Sequence, residues 1–195
     1  MKRVKFGFDI DGTVTCPTSY IPYLNKSFDR NLSLDDIKEY SLLPLLNITE
    51  EEFWKWMDEH EETICRQSPV AKYFEIIFPE WSNKHEFIFV SARRKYLLEA
   101  THEWLEKHNV PYSHVELIGK HDKVSAIKNL KCDIFFEDKH DNACDIAEEC
   151  GIPVILFDTP YNRDPIPENV IRVNNWLEAK EWVNNWLDKK AKETQ

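Results

Sequence analysis

Two aspartates stand one residue apart at the end of the apolar run that opens the chain, in the stretch FGFDIDGTVT: Asp9 and Asp11. An ionised carboxylate at the end of a buried strand is costly without a partner. A second acidic pair, Glu137 and Asp138, ends the apolar run DIFFED, and Asp141 follows shortly after it. Carboxylates gathered in one place repel one another unless a hard cation lies between them, and oxygen ligands suit Mg²⁺. The acidic residues therefore predict a site for a divalent metal.

A hydroxyl and a cation accompany these carboxylates along the chain, since Ser91 follows the apolar run in FIFVSAR and Lys123 lies in GKHDK. Both can hold the non-bridging oxygens of a phosphoryl group, where charge must be stabilised during transfer. Asp9 is then placed to attack phosphorus and form an aspartyl-phosphate, while Asp11 protonates the leaving alkoxide and later deprotonates the hydrolytic water. Arg93 is a candidate for an extra phosphate contact, with a surface arginine at a helix start as the other interpretation.

Each of these residues also has a plainer interpretation. Ser91 alone is typical of a turn and Lys123 alone of a solvated helix start, while Asp141 suits the cap of a helix over 141–150 as well as it suits the metal network. The DxDG pattern also occurs in calcium loops, but a calcium loop needs a glutamate where Tyr20 stands. The order of the polar residues along the chain favours phosphoryl chemistry.

The elements that position these residues alternate between strand and helix. Apolar runs bounded by turn signals predict strands at Val4–Ile10, Phe87–Val90, Val115–Ile118, Asp133–Phe136, Val154–Phe157 and Val170–Val173. Between and after them, helical patterns cover Arg94–Asn109, Asp122–Leu130, Asp141–Cys150 and Asn174–Lys192. This alternation predicts an α/β fold, a Rossmann-like parallel sheet with helices on both faces, whose ligands bind beyond the carboxyl ends of the strands.

Residues 17–84 do not follow this alternation of strands and helices, because they contain helical patterns and no strong strand. We predict a small helical cap inserted after the first strand at 17–84, with the core formed by 1–16 and 85–195. Its clearest helix starts at Thr49, in TEEEFWKWMDEHEETI, and carries an apolar stripe for packing. Tyr20, Tyr40 and Trp54 are candidates to face a substrate, and packing within the cap is the alternative for each.

Composition limits the possible functions. The chain has 195 residues and a formal charge of −10, so it suits one domain with an insertion and opposes binding to a nucleic acid polymer. The five cysteines are odd in number and lack CxxC spacing, and no signal sequence or membrane-spanning run is present in the sequence. We predict reduced thiols, a cytoplasmic location and no membrane partner.

The sequence resembles the haloacid dehalogenase-like phosphohydrolase superfamily, which carries DxDGT, then Ser or Thr, then Lys, then an acidic pair in this order. The match covers Lys2–Thr15 and about 86–159. The resemblance implies that Asp9 is the nucleophile, Asp11 the acid/base, and Ser91 and Lys123 the phosphoryl-binding residues.

The same resemblance implies a Mg²⁺ cofactor. It makes Asp9 and Asp138 direct ligands, assigns the main-chain carbonyl of Asp11 as a further ligand, and places Glu137 behind a water molecule. Asp141 is a candidate for this outer layer.

A narrower resemblance is to the cytosolic 5′(3′)-deoxyribonucleotidase family and its bacterial nucleotidase relatives. It rests on the helical insert, VSAR at the second motif, EDKHDNA at the fourth and the late LFDTPYNR. It implies hydrolysis of nucleoside monophosphates with cap aromatics around the base, although Ala92 stands where these enzymes often have another hydroxyl. A phosphatase or phosphomutase for a sugar phosphate or another small phosphometabolite is the alternative enzyme, and a non-catalytic phosphometabolite-binding protein is the alternative of another class. The oligomeric state is left open.

Overall fold

The computed structural model describes residues 3–120 and 122–193. Its centre is a six-stranded sheet in which all neighbouring strands are parallel, in the order β3-β2-β1-β4-β5-β6. The strands are β1 (Lys5–Phe8), β2 (Glu86–Ser91), β3 (His114–Leu117), β4 (Ile134–Glu137), β5 (Val154–Phe157) and β6 (Val170–Val173). This confirms the predicted parallel α/β sheet. The first strand is shorter than predicted, because the chain turns away from the sheet directly after Asp9.

Helices cover both faces of the sheet, as predicted. They are α1 (Ile21–Phe28), α2 (Leu43–Leu46), α3 (Glu50–Gln67), α4 (Phe74–Ser82), α5 (Leu98–Lys107), α6 (Val124–Leu130), α7 (His140–Cys150) and α8 (Trp176–Glu193). The helix predicted from Arg94 begins instead as a short 3₁₀ turn over Lys95–Leu97. The helix predicted from Asp122 begins two residues later, at Val124, so Lys123 lies immediately before it.

Alternation along each strand divides the core into two layers. One layer packs side chains of α4, α5 and α8 against the sheet, including Phe6, Phe8, Phe89, Phe136 and Trp176. The other packs α6 and α7 against the intervening strand positions, including Ile88, Val90, Phe135, Val154 and Leu156. A strand that is apolar at successive positions is therefore explained by burial on both faces.

Gly7 shows how tightly the second layer packs. A Cβ at this position would lie 2.4 Å from the Phe135 ring and 2.9 Å from the Cys132 sulphur. The ring of Phe135 lies over the bare backbone of β1, so only glycine fits there.

The helical insert forms its own small core. Leu24, Leu46, Trp56 and Ile64 are buried together there, and Phe53 and Met57 pack against them. Thr49 caps the N-terminus of α3, as predicted. The Glu52 N–H donates to Thr49 Oγ1 (3.2 Å), and the Thr49 N–H donates to Glu52 Oε2 (2.8 Å).

The chain enters and leaves this insert at adjacent points. Thr15 and Val70 form an isolated antiparallel bridge, in which the Ala71 N–H donates to the Val14 carbonyl (2.8 Å) and the Cys16 N–H to the Pro69 carbonyl (2.8 Å). Helix α4 lies within the predicted cap range 17–84, but its buried residues Phe74 and Trp81 belong to the layer that covers the sheet. We therefore propose that the cap ends near Pro69 and that α4 is part of the core.

Within the described part of the chain, no helix is both long enough and apolar enough to cross a bilayer. All five cysteines are free thiols, as their spacing predicts.

Candidate active site

Asp9, the first of the predicted site residues, follows β1 at the carboxyl edge of the sheet. Its N–H continues the strand ladder by donating to the Phe136 carbonyl of β4 (2.9 Å), which fixes its backbone between two central strands. Lys123, just before α6, donates from Nζ to Asp9 Oδ1 (2.5 Å) and to Glu137 Oε2 (2.8 Å). Both Asp9 and Lys123 are buried. Residues 114 positions apart in the chain thus form a buried, charge-assisted contact.

Three buried carboxylates meet at this edge: Asp9, Glu137 and Asp138, called the acidic group below. One oxygen from each lies within 4.8 Å of the others. Their neighbouring cation is Lys123, so the group carries two uncompensated negative charges when all three carboxylates are ionised. An all-oxygen donor set with this charge deficit fits a hard divalent cation such as Mg²⁺.

The pKa values of the acidic group and of Lys123 also indicate a shortage of positive charge. Burial raises the pKa of Asp9 to about 7, and the opposing effect of the Lys123 ammonium does not cancel it. Burial, together with the charges of Glu137 and Asp9, raises the pKa of Asp138 well above its usual range. Burial lowers the pKa of Lys123, but the two carboxylates outweigh it and raise that pKa above its ordinary value. Lys123 is therefore charged, and the carboxylates need more positive charge than it provides.

Glu137 and Asp138 are held by hydrogen bonds from several directions. Glu137 Oε1 accepts from the N–H groups of Asp138 (3.2 Å) and Lys139 (3.1 Å). The Tyr161 hydroxyl donates to Asp138 Oδ2 (2.5 Å), and Asn162 Nδ2 donates to the Asp138 carbonyl (2.6 Å). These contacts fix the orientation of the acidic side chains before any ligand binds.

Gly12 allows the turn after Asp9 to pass close to Asp138. Its φ is +82°, and a Cβ there would lie 2.5 Å from Asp138 Oδ2. Any other residue would meet both backbone strain and a clash with a carboxylate of the acidic group.

Asp11 lies outside the acidic group and has a different partner. Arg93 donates from Nε to Asp11 Oδ2 (2.8 Å) and from Nη2 to Asp11 Oδ1 (2.8 Å), a bidentate ion pair called the Asp11–Arg93 pair below. The Arg93 side chain is 4% exposed and that of Asp11 27% exposed. Arg93 Nη1 donates to Thr101 Oγ1 (3.0 Å) and to Cys65 Sγ (2.8 Å). The guanidinium, predicted as a phosphate contact, is bound here to protein groups.

Ser91 ends β2, next to β1 in the sheet, and is buried. Its hydroxyl accepts from the N–H of Arg93 (3.2 Å). The carboxyl ends of β1, β2 and β4 are thus neighbours and carry Asp9, Ser91 and Glu137, as the strand pattern predicts.

The cap candidates lie in different surroundings. Tyr20 packs against the small core of the insert, and burial, together with the charge of Asp11, raises its pKa well above its usual range. The ring of Tyr40 meets that of Tyr161 edge-on, with centroids 6.0 Å apart, so it lies near the acidic group. Trp54 instead contacts Glu50 on its own helix and the guanidinium of Arg94, a residue of the core segment that follows β2.

Asp141 has neither of its expected positions. Helix α7 begins at His140 with Lys139 at its cap position, so Asp141 does not cap it. The Asp141 side chain is 78% exposed and contacts His140 Nδ1 (3.2 Å). Its neighbour Asn142 is the residue that approaches Glu137 (3.5 Å), because it points to the buried side of the helix.

Two residues that follow β5 and hydrogen-bond to Asp138 were not predicted from the sequence. Tyr161 and Asn162 follow this strand, and Arg172 of β6 donates to Asn162 Oδ1 (2.9 Å). Ser91 was predicted because it stands at the end of a strand. The polar residues after Phe157 stand at the end of a strand too, so the same pattern could have identified them. Cys65 and Thr101 carried no such signal, because they become neighbours of Arg93 only through the packing of α3 on α5.

Comparison with solved structures defines the class of this fold. The haloacid dehalogenase-like hydrolase SP0104 from Streptococcus pneumoniae superposes with a TM-score of 0.66 at 13% identity, over 93% of this chain and 98% of that one. The HAD-hydrolase YfnB from Bacillus subtilis, bound to magnesium, gives 0.61 at 10% identity, over 94% and 100% of the two chains. The fold is that of the haloacid dehalogenase-like hydrolases.

Sequence comparison is more specific. The family described as "5' nucleotidase, deoxy (Pyrimidine), cytosolic type C protein" matches residues 2–191, and this chain belongs to it. "Putative nucleotidase BH1399" of Halalkalibacterium halodurans is 54% identical over 186 residues, covering 95% of both chains. "Nucleotidase CA_C3379" of Clostridium acetobutylicum is 31% identical over 189 residues, covering 97% of this chain and 98% of its own. The chain is thus an enzyme of the phosphatase class, of the 5′-nucleotidase type, as its motifs predict.

Proposed function

We propose that this enzyme hydrolyses nucleoside 5′-monophosphates with Mg²⁺ through an aspartyl-phosphate on Asp9. The observation that carries the proposal is the buried acidic group beside Lys123, which has the donor set and the charge deficit for a divalent cation. Family membership and the nucleotidase names of the relatives support the substrate class. The magnesium-bound neighbour YfnB supports the choice of cation.

Asp9 and Asp138, with the main-chain carbonyl of Asp11, would hold the metal, and Glu137 would support them from behind. A Mg²⁺ ion held there would neutralise charge on the carboxylates and on the phosphoryl group. The buried position of these side chains excludes bulk water from the attacking oxygen, which strengthens every charge interaction at the site.

The protein's own residues then divide the chemistry. Asp9 attacks phosphorus, and the bond to the leaving oxygen breaks as Asp11 delivers a proton to that oxygen. Water deprotonated by Asp11 next attacks the phosphorus of the phosphorylated Asp9, which releases phosphate and restores the carboxylate. Lys123 and the Ser91 hydroxyl hold the phosphoryl oxygens during both displacements.

The sugar and base are proposed to lie between the acidic group and the cap. A cavity of about 210 Å³ at this boundary is lined by Tyr40, Tyr161 and Lys139, among other residues. Its aromatic rings offer faces or edges to a base, which is the feature that favours a nucleotide over a hexose phosphate. Tyr20 is the second proposed contact, on the side of Asp11.

The test measures phosphate release by the purified protein with Mg²⁺ and with EDTA. The panel contains ribo- and deoxyribonucleoside 5′- and 3′-monophosphates, hexose phosphates and phospho-amino acids, and Asp9→Asn is the matched variant. We expect kcat/KM for at least one nucleoside 5′-monophosphate to exceed that for every hexose phosphate about tenfold or more. EDTA and Asp9→Asn should each abolish turnover. Preference for a hexose phosphate overturns the substrate class, and turnover by Asp9→Asn overturns the aspartyl-phosphate.

A further inference from the structure

The Asp11–Arg93 pair has a geometry that fixes both partners. Two parallel N–H···O bonds of 2.8 Å join the guanidinium edge to both carboxylate oxygens. Bidentate contacts of this kind restrict the plane of the carboxylate as well as its distance, which a single lysine contact does not. Because each carboxylate oxygen has two lone-pair directions, the pair uses one on each oxygen and leaves the other for a moving proton.

Arg93 is in turn anchored on its far side. Its Nη1 donates to Thr101 Oγ1 (3.0 Å) and Cys65 Sγ (2.8 Å). Thr101 belongs to α5 of the core and is itself held by a bond from its hydroxyl to the Leu97 carbonyl (2.8 Å). Cys65 belongs to α3 of the cap. The guanidinium therefore joins the carboxylate to both the core and the cap.

Four of the five guanidinium N–H groups thus donate to protein groups, and a bidentate contact with a phosphoryl group would break this arrangement. The edge formed by Nε and Nη2 already faces Asp11, and Nη1 faces Thr101 and Cys65. Turning the guanidinium toward a phosphoryl group would remove the partner of Asp11 and the anchor at Thr101 together. Removing one partner from a largely buried ion pair is strongly unfavourable.

We propose that Arg93 is a positioning residue that aims the carboxyl group of Asp11 at the leaving-group oxygen and does not bind the phosphoryl group. This inference rests on the proposed phosphatase mechanism and deepens it. Its consequence is chemical: Arg93 matters in proportion to how much the leaving group needs a proton. A nucleoside alkoxide needs one, whereas p-nitrophenolate leaves readily without it.

The experiment compares kcat/KM for the best nucleoside 5′-monophosphate with kcat/KM for p-nitrophenyl phosphate. This constant covers the steps up to departure of the leaving group, so the later hydrolysis of phosphorylated Asp9 does not enter it. Asp11→Asn calibrates the difference expected when proton transfer is lost. Arg93→Gln removes the bidentate contact and the charge. Arg93→Lys keeps the positive charge but cannot form the bidentate contact.

We expect Arg93→Gln to lower kcat/KM for the nucleotide by roughly 10- to 100-fold. The fold-loss in kcat/KM for p-nitrophenyl phosphate should be at least ten times smaller. Arg93→Lys should recover part of the nucleotide loss. In the Asp11→Asn background, Arg93→Gln should change the nucleotide rate by less than about threefold, because its effect passes through Asp11. The competitive inhibition constant for inorganic phosphate should stay within about twofold of the wild type.

Thr101→Val provides a second variant that leaves Arg93 and Asp11 in place. It should show the same dependence on the leaving group, at a smaller size, because it loosens the far side of the guanidinium. Equal losses on both esters together with weaker inhibition by phosphate would show that Arg93 binds the phosphoryl group and overturn the proposal. Unchanged rates in Arg93→Gln would overturn it as well. A wild-type protein that hydrolyses neither ester instead overturns the proposed function, and the positioning role falls with it.

Discussion

Asp9 and Asp11 are separated by a single residue, yet they lie in opposite electrostatic surroundings. Asp9 belongs to the acidic group, where three buried carboxylates share one ammonium. Asp11 belongs to the Asp11–Arg93 pair, where one carboxylate meets one guanidinium in a complete bidentate contact. The first group is short of positive charge and the second is balanced.

This difference separates what each carboxylate needs in order to work. The acidic group requires an additional cation to keep its members ionised in a buried place. The Asp11–Arg93 pair needs no further charge, and its remaining task is orientation. The separation arises between Asp9 and Asp11, because Asp9 still donates its N–H to the sheet ladder, whereas Asp11 lies in the turn that Gly12 continues with its positive φ.

The largest effect is expected when the acidic group loses its internal cation. Lys123→Met keeps the apolar stem but removes the ammonium between Asp9 and Glu137, so we expect kcat/KM to fall by about 10²- to 10³-fold. The matched control is Lys128→Met, since Lys128 lies on α6, the helix that Lys123 precedes, in a half-exposed pair with Glu149 (3.1 Å). Steady-state phosphate release should show less than a twofold change for this control. Equal losses in the two variants would contradict the special position of Lys123.

The next effect is a dependence of stability on pH in the metal-free protein. The pKa of Asp9 is raised to about 7 from an ordinary value of 3.8, so the folded state holds a proton that the unfolded state releases. This contribution to stability is complete below about pH 4 and is lost as the pH rises toward 7.

Urea unfolding in EDTA at pH 5, 6, 7 and 8 measures this dependence, with Asp9→Asn as the reference that lacks the titrating carboxyl. The free energy of unfolding of the wild type should fall relative to the variant by on the order of 2 kcal/mol between pH 5 and 7, and level off above. A constant difference across this range would show that Asp9 is ionised without a metal.

A smaller charge deficit in the acidic group should stabilise the metal-free protein. Asp138→Asn removes one carboxylate from the acidic group while keeping an oxygen that can accept from Tyr161. We expect it to raise the free energy of unfolding of the metal-free protein at pH 7.5 by roughly 1–2 kcal/mol.

The same variant should lose most of the stabilisation that Mg²⁺ gives the wild type, because one proposed ligand is gone. Thermal unfolding with and without Mg²⁺ measures both quantities. Destabilisation of the metal-free Asp138→Asn protein would mean that the acidic group is balanced without a cation.

The smallest effects concern two cap aromatics of nearly equal exposure, Tyr40 at 46% and Trp54 at 45%. Tyr40 lies beside Tyr161 and the acidic group, whereas Trp54 packs against Arg94. If a base stacks near Tyr40, Tyr40→Ala should raise KM for the nucleotide about tenfold. Trp54→Ala should change it by less than twofold. The reverse order would place the base near Trp54 and Arg94.

The sequence was sufficient to predict the sheet and the meeting of its strand ends, because buried parallel strands are apolar throughout and their polar residues stand at one edge. It was also sufficient to place Asp9, Ser91, Lys123 and Glu137 together. It was not sufficient to distinguish the surroundings of Asp9 from those of Asp11, since the contacts of Arg93 with Thr101 and Cys65 depend on how the cap packs on the core. The sequence of α4 likewise does not identify the surface that buries it, whether the insert or the sheet.

The bridge between Thr15 and Val70 closes the insert where it begins. The two crossings lie side by side, so the strands of the sheet do not need the insert for their continuity, although α3 of the insert packs on α5 of the core. An insertion built this way can be exchanged or resized while the acidic group keeps its place, because the ends to be joined are already adjacent. The acidic group thus belongs to a part of the chain that does not depend on the length of the insert, whereas the Asp11–Arg93 pair is anchored on the insert through Cys65.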